Sequence, residues 1–256
     1  MRRLDRAGHT VTAPRVTLGR DKQPERIAGM FDAIAPRYDL LNHLLSGGLD
    51  LRWRAKAVRA LALGGGETVL DLCTGTADLA IASATASPGA AAVVGVDFAG
   101  QMLRRGQGKL TGRGLGTRVR LVQGDATRIP LSACSVDAAT VAFGIRNVER
   151  PEAAFADVFR VLRPGGRFAI LEFGVPRMPG VRQAYLAYFR HVLPRIGSLL
   201  SGHASAYTYL PASVGSFPEP GQVMASLAAT GFSQVKADSL SLGIVYLYSA
   251  LKPDQR

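Results

Sequence analysis

VLDLCTGTADL, residues 69–79, carries the sharpest structural signal in the chain. Val69 to Leu72 form a short apolar run broken only by Asp71, and Thr74, Gly75, Thr76 and Ala77 are all small. A helical pattern, DLAIASATA (78–86), begins at once. This order predicts a buried strand that hands over to a helix across a tight turn. Gly75 lets the backbone of that turn approach a ligand closely, because no Cβ stands in the way. A dinucleotide-binding turn would show G-x-G-x-x-G here, and only Gly75 is present, so a nicotinamide cofactor falls to runner-up.

Outward from this turn the alternation repeats. AAVVGVDF (91–98) reads as a strand, AGQMLRRGQGKL (99–110) as a helix, and VRLVQGDA (119–126) and VDAATVAFG (136–144) as strands. PEAAFADVFRVL (151–162) is helical, and Pro164-Gly165-Gly166 turns the chain into strand RFAILEFG (167–174). Strands separated by helices of this length imply right-handed crossovers and a largely parallel sheet covered on both faces. Upstream, residues 30–63 carry apolar side chains at helical spacing, broken at Pro36 and Gly47-Gly48, which predicts two or three preceding helices. Downstream, 181–193 reads as a helix, 201–220 as a Gly/Ser/Tyr-rich insert and 221–230 as a helix. Segments 235–240 and 243–251 read as a closing β-hairpin.

The chain has 256 residues, 47% of them hydrophobic, enough for one substantial core. No apolar run reaches the roughly 18–20 residues of a membrane span. Residues 1–24 carry no continuous apolar stretch and are expected to be a flexible basic tail rather than a signal. Two cysteines, Cys73 and Cys134, are too few for a disulfide framework and point to a reducing, cytoplasmic setting. The net charge of +12 points to an anionic partner or surface, nucleic acid or anionic lipid, with plain solubility the third reading that charge alone does not separate from them. No run of five or more Lys/Arg appears, which removes the sharpest nucleic-acid signal. His43, His191 and His203 lack metal-ligand spacing, so no metal is expected.

In sheets of this kind ligands bind beyond the carboxyl ends of the strands. The D-x-small-x-G-x-small pattern at Asp71–Ala77 resembles motif I of class I S-adenosylmethionine-dependent methyltransferases, where glycine commonly stands at the positions of Cys73 and Ala77. FGIRNV (143–148) followed by RVLRPGGRFAILEF (160–173) resembles the ubiquinone/menaquinone biosynthesis C-methyltransferase family. So do YDLLNHLLSGGLDLRW (38–53), at Tyr38, Asp39, Asn42, Ser46 and Trp53, and AYTYLPASVGSFP (206–218). The resemblance covers roughly residues 25–252. It departs at Asp50, where the family usually has His, at Ala142, where a Ser is frequent, and at Gly174.

The resemblance implies a Rossmann-like fold: seven mostly parallel strands, a C-terminal antiparallel hairpin and helices on both faces. A helical cap over 25–63 would precede a methyltransferase domain over 64–252, with a substrate-side insert at 175–220. S-adenosylmethionine is the implied cofactor. Asp71, Gly75, Thr76, Asp97, Phe98, Asp125, Ala126 and Tyr38 are its expected contacts. Asp97 would accept the ribose hydroxyls, Asp125 the adenine amino group, and Asp71 would orient the methionine end. The implied reaction is methylation of a prenylated quinol, demethylmenaquinol rather than a methoxylated benzoquinol, with an RNA methyltransferase as the alternative of another class. Arg146 and Asn147 are the expected catalytic pair. Arg146 would be a fixed cation beside a developing phenolate, and a solvated Arg146 paired with Glu149 is the bland alternative. Tyr38, His203, Tyr207 and Arg146 acting through water stay open as proton acceptor. Tyr38, Trp53, Phe143, Tyr207 and Tyr209 are candidates for the ring and prenyl pocket. The amphipathic segment 181–200, with Arg182, Arg190 and Arg195, is expected to rest on an anionic membrane surface. No nucleic-acid partner is expected, and a homodimer is kept as an alternative.

Overall fold

The computed structural model describes residues 24–35, 38–192 and 204–254. The expected basic tail therefore lies outside the described residues, as do His203 and 193–200. Seven strands form one sheet: β1 (Thr68–Leu72), β2 (Ala92–Asp97), β3 (Val119–Gln123), β4 (Val136–Ala142), β5 (Leu162–Phe173), β6 (Ser233–Leu240) and β7 (Val245–Leu251), in the order β3-β2-β1-β4-β5-β7-β6. The first five run parallel, with Asp71 in register with Gly95 on one side and Thr140 on the other. β7 lies antiparallel to β5 and β6, which closes the sheet with the expected hairpin.

Val69 to Leu72 are buried, because β1 lies at the centre with helices above and below. One apolar layer joins Trp53 and Leu61 of the preceding helices to Leu79, Val93 and Val119. The other packs Leu70, Leu72 and Val141 against Phe155, Leu227 and Tyr248. The helices of these layers are α3 (Leu49–Ala60), α4 (Asp78–Thr85), α5 (Gly100–Gly112), α6 (Pro151–Val161) and, late in the chain, α9 (Pro220–Thr230). The strand order reverses between β1 and β4, so their carboxyl tips flank the crevice where such sheets bind ligands.

A further group of helices stands over those tips. α1 (Pro24–Ile34), α2 (Tyr38–Ser46), α7 (Pro179–Ala187), the π-helical turn Tyr188–Val192 and α8 (Ala204–Ser216) pack around Tyr185, Phe189 and Val214. The insert read at 201–220 is thus largely a helix. Its glycine, serines and Pro211 carry weak helix signals, and packing against α1 and the tip of β4 overrides them. β3 ends at Gln123 rather than 126, which places Asp125 in a turn instead of on a strand. β5 starts at Leu162, before the Pro-Gly-Gly turn, with a register irregularity against β4 between Val136 and Ala138.

Candidate active site

The turn after β1 is built under conformational constraint. Cys73, Gly75 and Ala77 all have left-handed backbone, with φ of 51°, 54° and 67°. Such values suit glycine and cost other residues about 1–2 kcal/mol. Asp71 pins the turn: its carboxylate accepts the hydroxyls of Thr74 at 2.6 Å and Thr140 at 2.9 Å. Burial raises its pKa to about 6 against these bonds. Asp97, at the tip of β2, accepts from the Gly75 N–H at 2.8 Å and the Ala99 N–H at 2.9 Å. Its pKa is also pushed up to about 6 by burial, the amide bonds opposing.

These residues border a small recess of about 30 Å³ lined by Gly75, Asp97, Phe98, Cys73, Gly144 and Asn147, and closed by Phe31, Tyr38 and Phe143. Beside it opens a cavity of about 400 Å³. Aromatic and aliphatic groups make most of its wall, including Trp53, Phe173, Tyr185, Tyr188, Phe189, Tyr209 and Leu210. Phe31, Tyr38 and Phe143 line both spaces. Phe143 sits at φ 58°, stacks on Phe173 at 4.5 Å between ring centres, and meets Trp53 edge-on at 6.1 Å. The Trp53 indole N–H donates to the Ser241 hydroxyl at 3.0 Å, which fixes its tilt.

Arg146 and Asn147 lie in a single 3₁₀ turn, Ile145–Asn147, at the tip of β4. Arg146 lines the large cavity, and Asn147 lines the recess. Arg146 is 6% exposed and pairs with Glu172 of β5 at 2.7 Å. Its Nη1 also donates to the Phe143 carbonyl, and its Nε to the Ser213 hydroxyl at 3.4 Å. Among the described residues Nη2 has no acceptor. The Tyr209 hydroxyl donates to Asn147 Oδ1 at 3.1 Å. The solvated Arg146–Glu149 pair is therefore corrected: the partner is the buried Glu172. A carboxylate inside the apolar strand RFAILEF was the signal that such a cation would be needed.

Other expected contacts stand elsewhere. Thr76 lines neither space; it is 2% exposed, and its hydroxyl donates to Asp39 and accepts from Lys109 at 3.3 Å. Asp71 faces its two hydroxyl partners rather than the recess. Asp125 is exposed, with Oδ1 accepting from the Thr127 N–H at 2.8 Å, and Ala126 packs into the lower core layer. Neither borders the recess, because β3 stops short of them. Tyr38 is raised above the ordinary tyrosine range by burial, against an Asn42 hydrogen bond and the charges of Arg146 and Arg54. Burial therefore disfavours its phenolate form. The Tyr207 side chain lies outside the described residues. Sequence reasoning missed Glu172, Arg54 and the Asp50 cluster, in which His43 Nδ1 lies 2.8 Å from Asp50 and the Ser46 hydroxyl donates at 2.9 Å.

A recess and a large apolar cavity thus meet at the switch point of the sheet, and comparison with known proteins supplies the family. The model of the ubiE/COQ5 methyltransferase family matches residues 20–252. The chain belongs to this family. The ubiquinone/menaquinone biosynthesis C-methyltransferase UbiE of Syntrophotalea carbinolica is 48% identical over 91% of this chain and 95% of its own. The demethylmenaquinone methyltransferase of Thermus thermophilus is 46% identical over 88% of this chain and all of its own, at 100%. Among solved structures, the [4+2]-cyclase SpnF superposes with a TM-score of 0.69 at 17% identity, covering 91% of this chain and 97% of its own, a likeness of fold alone.

Proposed function

We propose that the chain transfers the methyl group of S-adenosylmethionine to a ring carbon of a prenylated quinol, demethylmenaquinol being the substrate. The observation that carries this is the split of two consecutive residues, Arg146 facing a large apolar cavity and Asn147 facing the adjoining recess. The names of the relatives, a UbiE C-methyltransferase and a demethylmenaquinone methyltransferase, support the reaction class.

The recess fits an adenosyl group in its donor set. Asp97 keeps free lone pairs beyond its two amide bonds and is aimed by them toward a diol. Gly75 offers backbone without a side chain. A recess of about 30 Å³ holds roughly one water, so Phe31 and Tyr38, which close it, are the side chains that give way. Asp125 lies outside the recess, so it reaches the adenine amino group only where the adenosyl group extends past the recess to the exposed turn after β3. When bound, S-adenosylmethionine supplies an electrophilic methyl group.

The protein's own task is the nucleophile. A phenolic hydroxyl has a pKa of about 10, and its neighbouring ring carbon attacks well only as that proton passes to water at the junction. As the S–CH3 bond gives way to the new C–CH3 bond, the ring carbon then loses its own proton and the phenol is restored. Arg146 does not act as a base, since a guanidinium does not deprotonate in proteins. With Nη1 and Nε engaged, Nη2 is left to stabilise the developing oxyanion. Glu172 balances the buried charge and holds the guanidinium plane. Asn147, its oxygen bonded by Tyr209, keeps its amide hydrogens for an oxygen or water at the junction. Trp53, Phe143 and Phe173 hold the ring flat and exclude water. The prenyl chain leaves along Tyr185, Phe189 and Leu210. A chain of that kind is delivered from a bilayer, and exposed Arg182 and Arg190 beside the cavity support contact with an anionic inner membrane face.

The test is to offer demethylmenaquinol and the methoxylated benzoquinol together with donor labelled in its methyl group. Label in the naphthoquinol is expected. Label in the benzoquinol alone, or in neither, contradicts the assignment.

A further inference from the structure

Tyr38, Tyr185, Tyr188 and Tyr209 all line the large cavity, and only one of them has an idle hydroxyl. Tyr38 bonds with Asn42, Tyr188 donates to the Leu45 carbonyl at 3.1 Å, and Tyr209 donates to Asn147 at 3.1 Å. Tyr185, on α7, is 8% exposed, and its buried hydroxyl has no hydrogen-bond partner among the described residues. A buried hydroxyl left alone is costly and rare in a folded protein, so this one points to a partner that arrives with a ligand. Arg54 Nε, on the same wall, also lacks a partner, but its guanidinium already donates to Asp50 at 3.2 Å and faces Asp78 at 3.9 Å.

The surroundings narrow the ligand atom. The Tyr185 ring packs on Phe189, 4.3 Å between centres, so it stands on the wall given to the prenyl chain. Burial raises the pKa of its hydroxyl, the charge of Arg146 opposing and that of Glu172 reinforcing, which favours the protonated, donating form. The chemistry of the ring narrows it further. A prenylated 1,4-quinol carries two oxygens, para to each other. One neighbours the unsubstituted carbon that takes the methyl group, and this is the oxygen that Arg146 stabilises. The other neighbours the carbon bearing the prenyl chain, so that oxygen and the chain lie on the same side of the ring.

We infer that the Tyr185 hydroxyl is the second anchor of the quinol ring, donating to the oxygen beside the prenylated carbon while Arg146 faces the oxygen beside the methylated one. This rests on the methyl-transfer reading and gives a polar role to a residue that reading uses only as apolar wall. A ring held at one oxygen pivots about that contact; held at both, it keeps its unsubstituted carbon in line with the methyl group. Tyr185 then makes the site selective for a para-dihydroxylated ring over a monophenol of the same shape, because the monophenol leaves the buried hydroxyl unpaired.

The test compares the full-length protein with Tyr185→Phe on two substrates carrying the same short prenyl chain, with methyl-labelled donor. One is demethylmenaquinol; the other is the 3-prenyl-1-naphthol, which keeps the hydroxyl beside the reactive carbon and lacks the other. Comparing each substrate across the two proteins cancels the difference in intrinsic reactivity. Tyr185→Phe is expected to lower kcat/KM about tenfold for the quinol and no more than about twofold for the naphthol. Its thermal midpoint without substrate is expected to equal or exceed that of the unaltered protein, since the hydroxyl removed has no partner. Equal losses on both substrates, or a lowered midpoint, would overturn the inference by giving Tyr185 a structural role. An unchanged rate on the quinol would overturn it as well. Failure of the unaltered protein to label either substrate would instead remove the methyl-transfer reading, and the inference with it.

Discussion

Gly144 shows how tightly single atoms define the site. A Cβ at this position would lie 2.3 Å from the Cβ of Cys73, across the junction between the turns after β1 and β4. Gly144→Ala is expected to lower stability by about 1–3 kcal/mol and to weaken binding of S-adenosylhomocysteine. Adding Cys73→Gly opens the space and relieves a left-handed residue, so the double variant should recover most of both losses. Thermal midpoints and calorimetry on the pair check this, and no recovery would show the clash lies elsewhere. Asp97 gives a pH signature. Burial raises its pKa to about 6, and ribose hydroxyls bond the ionised form, so binding favours loss of its proton. Affinity should be flat above about pH 6 and fall by up to about tenfold per pH unit below it. Affinity independent of pH between 5 and 7 would remove Asp97 from the contact.

At the level of elements, α8 decides how the tip of β4 is held. It brings Ser213 to Arg146 and Tyr209 to Asn147. Tyr209→Phe frees Asn147 to rotate; turnover should drop about tenfold with S-adenosylhomocysteine affinity unchanged, and unchanged turnover would sink the coupling. The turn between α2 and α3 depends on Asp50. Burial alone would raise its pKa, but bonds from His43 and Ser46 and the Arg54 charge outweigh it and hold the carboxyl below its usual range. A depressed acid contributes stability above its unfolded pKa of about 3.9 and loses it as pH falls through the folded value. Asp50→Asn should therefore flatten the acid limb of the melting-temperature profile, and an unchanged limb would contradict the pairing. These elements also mark what a sequence can tell. The strands and the turn at 73–77 were legible because apolar runs and small residues are local signals. α8 was not, since proline, glycine and serine hide a helix held by tertiary packing. Asp97 could be placed at a strand tip from its position alone. Glu172, Arg54 and Asp78 could not be paired with anything until the sheet brought them together, and Asp125 falls in a turn because β3 ends at Gln123.

At the scale of the molecule, one face collects the tips of β1, β2 and β4, and the helices above it enclose an apolar space near a basic, partly apolar surface. Leu40, Leu44, Leu51 and Met178 are exposed there or on the helices that wall the cavity, with Arg182 and Arg190 nearby in sequence on α7 and its continuation. For the proposed membrane contact, the net charge of +12 would add long-range attraction to anionic lipid. Sedimentation with phosphatidylglycerol vesicles should carry the protein down at low salt, while neutral phosphatidylcholine vesicles leave it in solution. Retention in the supernatant with both would contradict the membrane contact.

In the proposed reaction the Arg146 cation, held by Glu172, stabilises charge on the quinol oxygen as the methyl group arrives. Removing Arg146 alone would strand a buried carboxylate and confound folding with chemistry. The decisive measurement is therefore on the paired, neutral variant Arg146→Gln with Glu172→Gln: single-turnover methyl transfer to demethylmenaquinol beside calorimetry with S-adenosylhomocysteine. A rate lowered about 10²–10³-fold with ligand affinity intact is the predicted result. A rate within a fewfold of the unaltered protein would contradict it.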